Sequence, residues 1–139
     1  LGARERTGKV HVNQVEGAED RETLYHFITR NVSVDSNLYT DDHAGYKRLG
    51  GYVHEAVRHS VGEYVRGQAH TNSIESFWAL LKRGHYGTFH QMSWKHLGRY
   101  LDEFQARGNL GSLDSGQRLD TILGAVSGLR LTYERLTDD

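Results

Sequence analysis

The segment from His70 to Gly84 places one carboxylate and one lysine on a single predicted helix. Glu75 and Lys82 are seven positions apart, so at the helical repeat they lie almost above one another. Four apolar residues recur at helical spacing and define the buried face beside them: Ile74, Phe77, Trp78 and Leu81. Carboxylates bind divalent cations and ammonium groups bind phosphate, so this helix edge suits phosphate chemistry.

A second acidic position lies upstream of this helix. Residues 37–40 form a short predicted strand that runs into Asp41 and Asp42, and Asp41 precedes Glu75 by 34 positions. One carboxylate at a strand end and another on a helix are what a two-metal phosphoryl-transfer site uses. The two acids and Lys82 are therefore the candidate reactive residues.

Each of these residues also has an ordinary structural interpretation. An Asp-Asp pair after a strand is common loop chemistry. Glu75 completes a capping-box pattern if Asn72 is the N-cap, which would turn its carboxylate back onto the helix. Lys82 is of a type that usually points into solvent from a helix. The residue pattern at the start of this helix, taken alone, favours the capping interpretation of Glu75.

Three separated segments, residues 39–46, 70–84 and 87–109, resemble the DDE transposases of bacterial insertion sequences. The resemblance covers residues 1–110 and is strongest to a branch whose third acid lies in an H-T-N-x-I-E-x-F-W context. It implies that Asp41 corresponds to the second catalytic carboxylate, Glu75 to the third, and Lys82 to the lysine seven positions later. Asp41 is favoured over Asp42 because the acid of the family directly follows a threonine.

The resemblance also implies a set of ligands and partners. Asp41 and Glu75 would bind Mg²⁺ or Mn²⁺, and the substrate would be DNA, both the insertion-sequence ends and the target. It implies a homo-oligomer in the functional complex and a bacterial cytoplasmic protein associated with the nucleoid. The residues expected to contact DNA are His70, Lys82, Arg83, Lys95 and Arg99.

The expected fold is α/β, an RNase H-like mixed sheet flanked by helices. Its first strand, with the first catalytic carboxylate, is expected to be absent, because the resemblance begins just after that strand. The expected division is a partial catalytic domain at 1–110 and a helical extension at 111–139. The chain alone is therefore expected to be inactive, while a longer parent would cleave and join DNA. The alternatives are a non-catalytic DNA- or partner-binding remnant and an RNase H-like nuclease.

Composition agrees with a globular domain. The 139 residues are 37% hydrophobic and 25% charged, contain no cysteine and hold no apolar run long enough to span a membrane. Disulfides and thiolate metal sites are thereby excluded. The net charge of −1 is low for a nucleic-acid-binding protein. Residues 54–100 are nevertheless basic, with six Lys and Arg against three Glu.

Periodicity predicts the remaining elements. A hairpin turn at 6–9 should join a strand tail at 1–5 to a strand at 10–15. Helices are predicted at 20–32, with Asp20 as N-cap, at 93–107, and as an amphipathic segment at 117–136. A further strand is predicted at 55–60. Three aromatic residues are assigned to the core rather than to base stacking: Phe77, Trp78 and Trp94.

Overall fold

The computed structural model describes residues 1–6, 8–16, 20–46, 49–57, 72–130 and 132–134. This part of the chain contains four short strands and four α-helices. In chain order they are β1 (Gly2–Arg4), β2 (Val10–Val12), α1 (Arg21–Asn31), β3 (Asn37–Asp41), β4 (Val53–Val57), α2 (Asn72–Gly84), α3 (Leu97–Asn109) and α4 (Ser115–Val126). The predicted α/β class is confirmed, and the small sheets and helices are compatible with an RNase H-like fold.

The strands form two separate pairs. β1 runs antiparallel to β2, and the amide of Glu5 donates to the carbonyl of Lys9 at 2.9 Å, so the predicted hairpin is confirmed. β3 runs parallel to β4, with Asn37 opposite Val53 and Asp41 opposite Val57. Among the described residues no strand lies between β1 and β3, and each keeps one unpaired edge.

The outer edge of β2 is covered by side chains of α3. The Asn109 side chain accepts a hydrogen bond from the Val10 amide at 2.7 Å and donates to the Val10 carbonyl at 3.0 Å. The Gln105 side chain accepts from the Val12 amide at 2.7 Å. Two side-chain amides thus do what a neighbouring strand would do, which protects this edge from pairing with another chain.

Helices pack on both faces of β1, because alternate residues of a strand point to opposite sides. A Cβ on Gly2 would lie 2.6 Å from the Trp78 ring, so only a glycine lets α2 approach this closely. The cluster on that face centres on five buried residues: Val10, Val12, Phe77, Leu101 and Phe104. Leu1 and Ala3 instead pack on the other face, against Phe27 and Ile28 of α1. The packing of α2 and α3 on the sheet is as predicted.

Local signals set the ends of α1. Asp20 accepts a hydrogen bond from the Thr23 amide at 3.4 Å, which confirms it as the N-cap. The predicted strand at 55–60 lies earlier in the structure, at Val53–Val57, and residues 58–60 are outside the described part. The helix predicted at 93–107 begins with a 3₁₀ turn at Trp94–His96 and continues as α3 to Asn109.

Two predictions about apolar residues were wrong. Trp94 is 57% exposed, because it lies in the 3₁₀ turn ahead of α3 and outside the core. The amphipathic segment expected over 117–136 is not one continuous helix, because α4 ends at Val126 and Gly128 takes a positive φ of 78°. Residues 131, 135 and 136 of that segment lie outside the described part. The division at residue 110 stays a prediction. No described helix is long and apolar enough to cross a membrane.

Candidate active-site cleft

A cavity of about 610 Å³ lies between the unpaired edges of β1 and β3, and it is called here the inter-sheet cleft. Its walls are residues 1–6 of the β1 segment and residues 36–41 of the β3 segment. Phe27 and Ile28 of α1 contribute to its lining, as do the first residues of α2. Asp41 and Glu75 both line this cleft, so the structure brings together the two carboxylates that the sequence singled out.

Asp41 is the last residue of β3, and its side chain is oriented by the turn that follows. One carboxylate oxygen accepts a hydrogen bond from the His43 amide at 3.3 Å, which is the geometry of an aspartate turn. The adjacent Tyr46 is half-buried. Burial, and after it the negative charge of Asp41, raises the pKa of the Tyr46 phenol. The phenol therefore stays protonated beside the carboxylate at neutral pH.

Thr40 and His54 brace the end of β3. The buried Thr40 hydroxyl donates to the Asp41 carbonyl at 2.7 Å and lies 2.8 Å from His54 Nε2. Because the hydroxyl proton is used in the first bond, the second requires a protonated Nε2 on the His54 ring. Burial lowers the pKa of His54, which favours the neutral ring. Sequence reasoning missed this contact, since it depends on the parallel register of β3 and β4.

Glu75 lies in the first turn of α2 and is exposed toward the cleft. The helix begins at Asn72, and the capping-box interpretation of Glu75 stays a prediction. A negative charge in a first helical turn is favoured by the helix dipole. The Arg4 guanidinium donates to the Ser73 carbonyl at 3.1 Å and so ties the end of β1 to the start of this helix.

The predicted DNA-contacting residues divide between three elements. Lys82 and Arg83 are exposed in the last turn of α2, Lys95 is exposed in the 3₁₀ turn, and Arg99 is exposed in α3. None of these four lines the inter-sheet cleft, although Lys82 shares the helix edge of Glu75. His70 lies outside the described residues, so its predicted role has no structural counterpart here.

The donor set of the cleft suits a hard divalent cation but is incomplete. Asp41 and Glu75 provide carboxylate oxygens, the ligands that Mg²⁺ and Mn²⁺ accept. Within the described ranges no cluster of three or more acidic or histidine side chains could hold a metal ion. The two carboxylates therefore offer oxygen ligands of the kind that such a cation accepts, and the described residues do not complete a group of three around them.

Comparison with known proteins identifies the family of the chain. A profile of the ISXO2-like transposase domain matches residues 1–109. The chain belongs to the ISXO2-like transposase domain family. The matched region of this transposase-family chain contains Asp41 and Glu75 and ends at the last residue of α3, so α4 lies beyond it.

A relative comes from a mobile element of an archaeon. The transposase-family chain is 31% identical over 123 residues to a protein from Halobacterium salinarum described as an uncharacterized protein in transposable element ISH50. The alignment covers 84% of this chain and 40% of that protein, so the chain spans less than half of the relative's length. No solved structure matches the chain.

Proposed function

We propose that this transposase-family chain carries part of a DDE-type active site for metal-dependent DNA strand cleavage and strand transfer. The observation that carries the proposal is the placement of Asp41 and Glu75 in one cleft within the family-matched region. Lys82, on the same edge of α2 as Glu75, would contact a phosphate near the reacting bond. The substrates would be the DNA ends of the insertion sequence and the target DNA.

Asp41 and Glu75 would hold a divalent cation, Mg²⁺ or Mn²⁺, which in such sites activates the attacking oxygen and stabilises the leaving oxygen of an in-line displacement. The chain's own residues set the geometry. The His43 amide and the Thr40–His54 contact hold the end of β3, while the Arg4 bond to Ser73 holds the start of α2. These contacts orient the two chain segments that carry the carboxylates.

The remaining carboxylate would lie on an extended segment inserted between β1 and β3. Both strands present an unpaired edge to the cleft, and neighbouring strands lie about 4.8 Å apart. A single strand in that position would join the two pairs into one sheet, with α1 on one face and α2 on the other. Residues of a longer parent protein would supply it, and the 139-residue chain alone would then not cut DNA.

The basic residues outside the cleft would bind the DNA backbone. Lys82, Arg83, Lys95 and Arg99 are all exposed, and phosphate contacts of this kind do not depend on sequence. Binding should weaken steeply with salt, because each neutralised phosphate releases a counterion. A homo-oligomeric complex on DNA is part of the same proposal.

The experiment is metal-dependent cleavage of labelled element-end DNA, with the 139-residue chain and the longer parent assayed side by side. Asp41→Asn and Glu75→Gln in the parent should each abolish cleavage. Matched controls are Asp42→Asn, which changes the neighbouring acid, and Glu103→Gln, which changes a half-buried glutamate of α3 that pairs with Arg107 outside the cleft. Cleavage by the parent that survives Glu75→Gln would refute the carboxylate assignment.

Cleavage by the 139-residue chain itself would refute only the proposal that a longer parent protein supplies the remaining carboxylate. Activity lost in its Glu75→Gln variant would show that an acid within these residues completes the site. A second candidate function is a non-catalytic DNA-binding remnant, which the lack of a metal-holding group of three or more acidic or histidine side chains among the described residues favours. DNA binding unaffected by chelators, together with an inactive parent, would identify it.

A further inference from the structure

One exposed stripe of α2 runs from the Glu75 carboxylate to the ring of Tyr86. Glu75, Ala79, Lys82 and Tyr86 follow at intervals of four, three and four residues, which keeps them on one side of a helix. All four are exposed, and Tyr86 is 74% exposed. The helix passes from α2 into a π turn at His85–Phe89 without a break, so the stripe is continuous.

The π turn separates two aromatic residues into different environments. Phe89 points into the core, with its ring centroid 4.9 Å from Tyr100 and 6.2 Å from Phe104. Tyr86, at the start of the same turn, faces solvent, with His85 meeting its ring edge-on at 4.9 Å. A single exposed tyrosine needs no explanation by itself. What distinguishes Tyr86 is its position in line with the candidate catalytic acid and one helical turn after Lys82 and Arg83.

We propose that Tyr86 is a stacking platform for an unpaired nucleobase of the DNA strand whose reacting phosphate lies at Glu75. This inference rests on the proposed function. Tyr86 lies eleven positions after Glu75, which is about 16 Å along the axis at about 1.5 Å per residue. That length corresponds to about five nucleotides of stacked strand, and to fewer in an extended one. Lys82 lies between the two, where it meets an intervening phosphate.

The chemistry of the stripe favours an unpaired base as the partner. A base inside a duplex has both faces covered by its neighbours, so a protein ring reaches a base face only at a strand end, a nick or a flipped nucleotide. Tyr86 offers a flat, accessible ring that accepts any base, since every base has a π-face. The adjacent Lys82 and Arg83 attract the backbone that carries this base.

The test couples removal of the ring to removal of a base. The 139-residue chain is titrated with a duplex bearing a single-stranded overhang, in EDTA so that no cleavage occurs. The titration is repeated with a series of duplexes, each of which lacks the base at a different single position of the overhang. With the unchanged protein, one abasic position should weaken binding about 5- to 150-fold, the range of one lost base–aromatic stack. With Tyr86→Ala, all overhangs of the abasic series should bind with the same affinity. With Tyr86→Phe, which keeps the ring, the loss of affinity at one abasic position should return.

The control is Tyr25→Ala, which removes a tyrosine that is 44% exposed on α1, on the other face of β1. It should leave the abasic series unchanged. An abasic penalty that persists in Tyr86→Ala, a flat series in the unchanged protein, or the absence of overhang binding would overturn the proposal. The outcome is separable from that of the cleavage assay. If the abasic penalty depends on Tyr86 and the parent protein does not cleave DNA, the stacking proposal holds and the proposed activity fails. If the parent cleaves DNA and the abasic series is flat, the proposed activity holds and the stacking proposal fails.

Discussion

α2 and α4 carry the same kind of amphipathic pattern but differ in what they bury. In α2 the apolar face packs on the hairpin, so Phe77 is buried and Ile74, Trp78 and Leu81 are half-buried. In α4 the four apolar residues at helical spacing are between 48% and 56% exposed: Leu119, Ile122, Leu123 and Val126. Periodicity therefore specifies an apolar face, and a neighbouring surface decides whether that face is buried.

Hydrogen bonds between neighbouring residues set the start of α4, whereas α2 is stabilised by packing of its apolar face. Asp114 and Gln117 form a capping box, with bonds of 2.9 and 3.2 Å. The Arg118 guanidinium donates to the carbonyls of Leu113 and Gly111 at 2.7 and 2.8 Å, so it holds the connection from α3. Such contacts set where a helix begins, but they stabilise it far less than a buried face does.

The largest effect should come from the core under α2. Phe104→Ala removes a buried ring that packs against Gly84 and Phe89, and it should lower the free energy of unfolding by about 3–5 kcal/mol. Urea denaturation measures this value. The matched change in α4, Leu123→Ala, should stay within about 0.5 kcal/mol, since its side chain is already exposed. Similar losses from both variants would contradict the contrast between the two helices.

Trp78→Ala should have the next largest effect. The Trp78 ring packs edge-on against Phe77 with centroids 5.3 Å apart, but it is only half-buried because its other side lines the inter-sheet cleft. We expect a loss near the lower end for a buried aromatic, about 3 kcal/mol. Thermal or urea unfolding monitored by far-UV circular dichroism checks it. Unchanged stability would mean that Trp78 contributes nothing to the packing of α2.

Asn109→Ala tests the side-chain cover of β2 and should have an intermediate effect. It leaves the Val10 amide and carbonyl without their partner, which should cost about 1–3 kcal/mol. Asn109→Asp is the informative companion, because it retains an acceptor for the Val10 amide and loses the donor for the carbonyl. Its loss should be no smaller than that of Asn109→Ala, because the second carboxylate oxygen then faces the Val10 carbonyl with no proton between them. Hydrogen exchange at Val10 reports the same edge directly, and protection that survives Asn109→Ala would contradict this role.

Asp114→Ala should have the smallest effect on the fold as a whole. Loss of this N-cap costs about 1 kcal/mol of α4 stability, while the core beneath α2 and α3 is untouched. The helical circular dichroism signal should fall slightly, with the unfolding midpoint of the remaining structure unchanged. A shift of that midpoint as large as the one from Asn109→Ala would show that α4 is coupled to the body.

Much of the candidate site could be predicted from sequence. The strand ending in Asp41 and the helix bearing Glu75 and Lys82 follow from periodicity over a few residues. Their placement in one cleft could be expected only from the family resemblance, because the two elements are far apart in the chain. The contact of His54 with Thr40 could not be predicted, since it requires the parallel register of β3 and β4.

By itself, the sequence determined the hairpin, the Asp20 cap of α1, and the apolar face of α2. These features depend on turns, caps and spacings that act within a few residues. Only the tertiary structure decided that Trp94 and Tyr86 face solvent, that α4 is exposed, and that a cleft separates β1 from β3. These outcomes depend on which surfaces meet, and a repeating pattern of apolar residues states that a face exists without stating what will cover it.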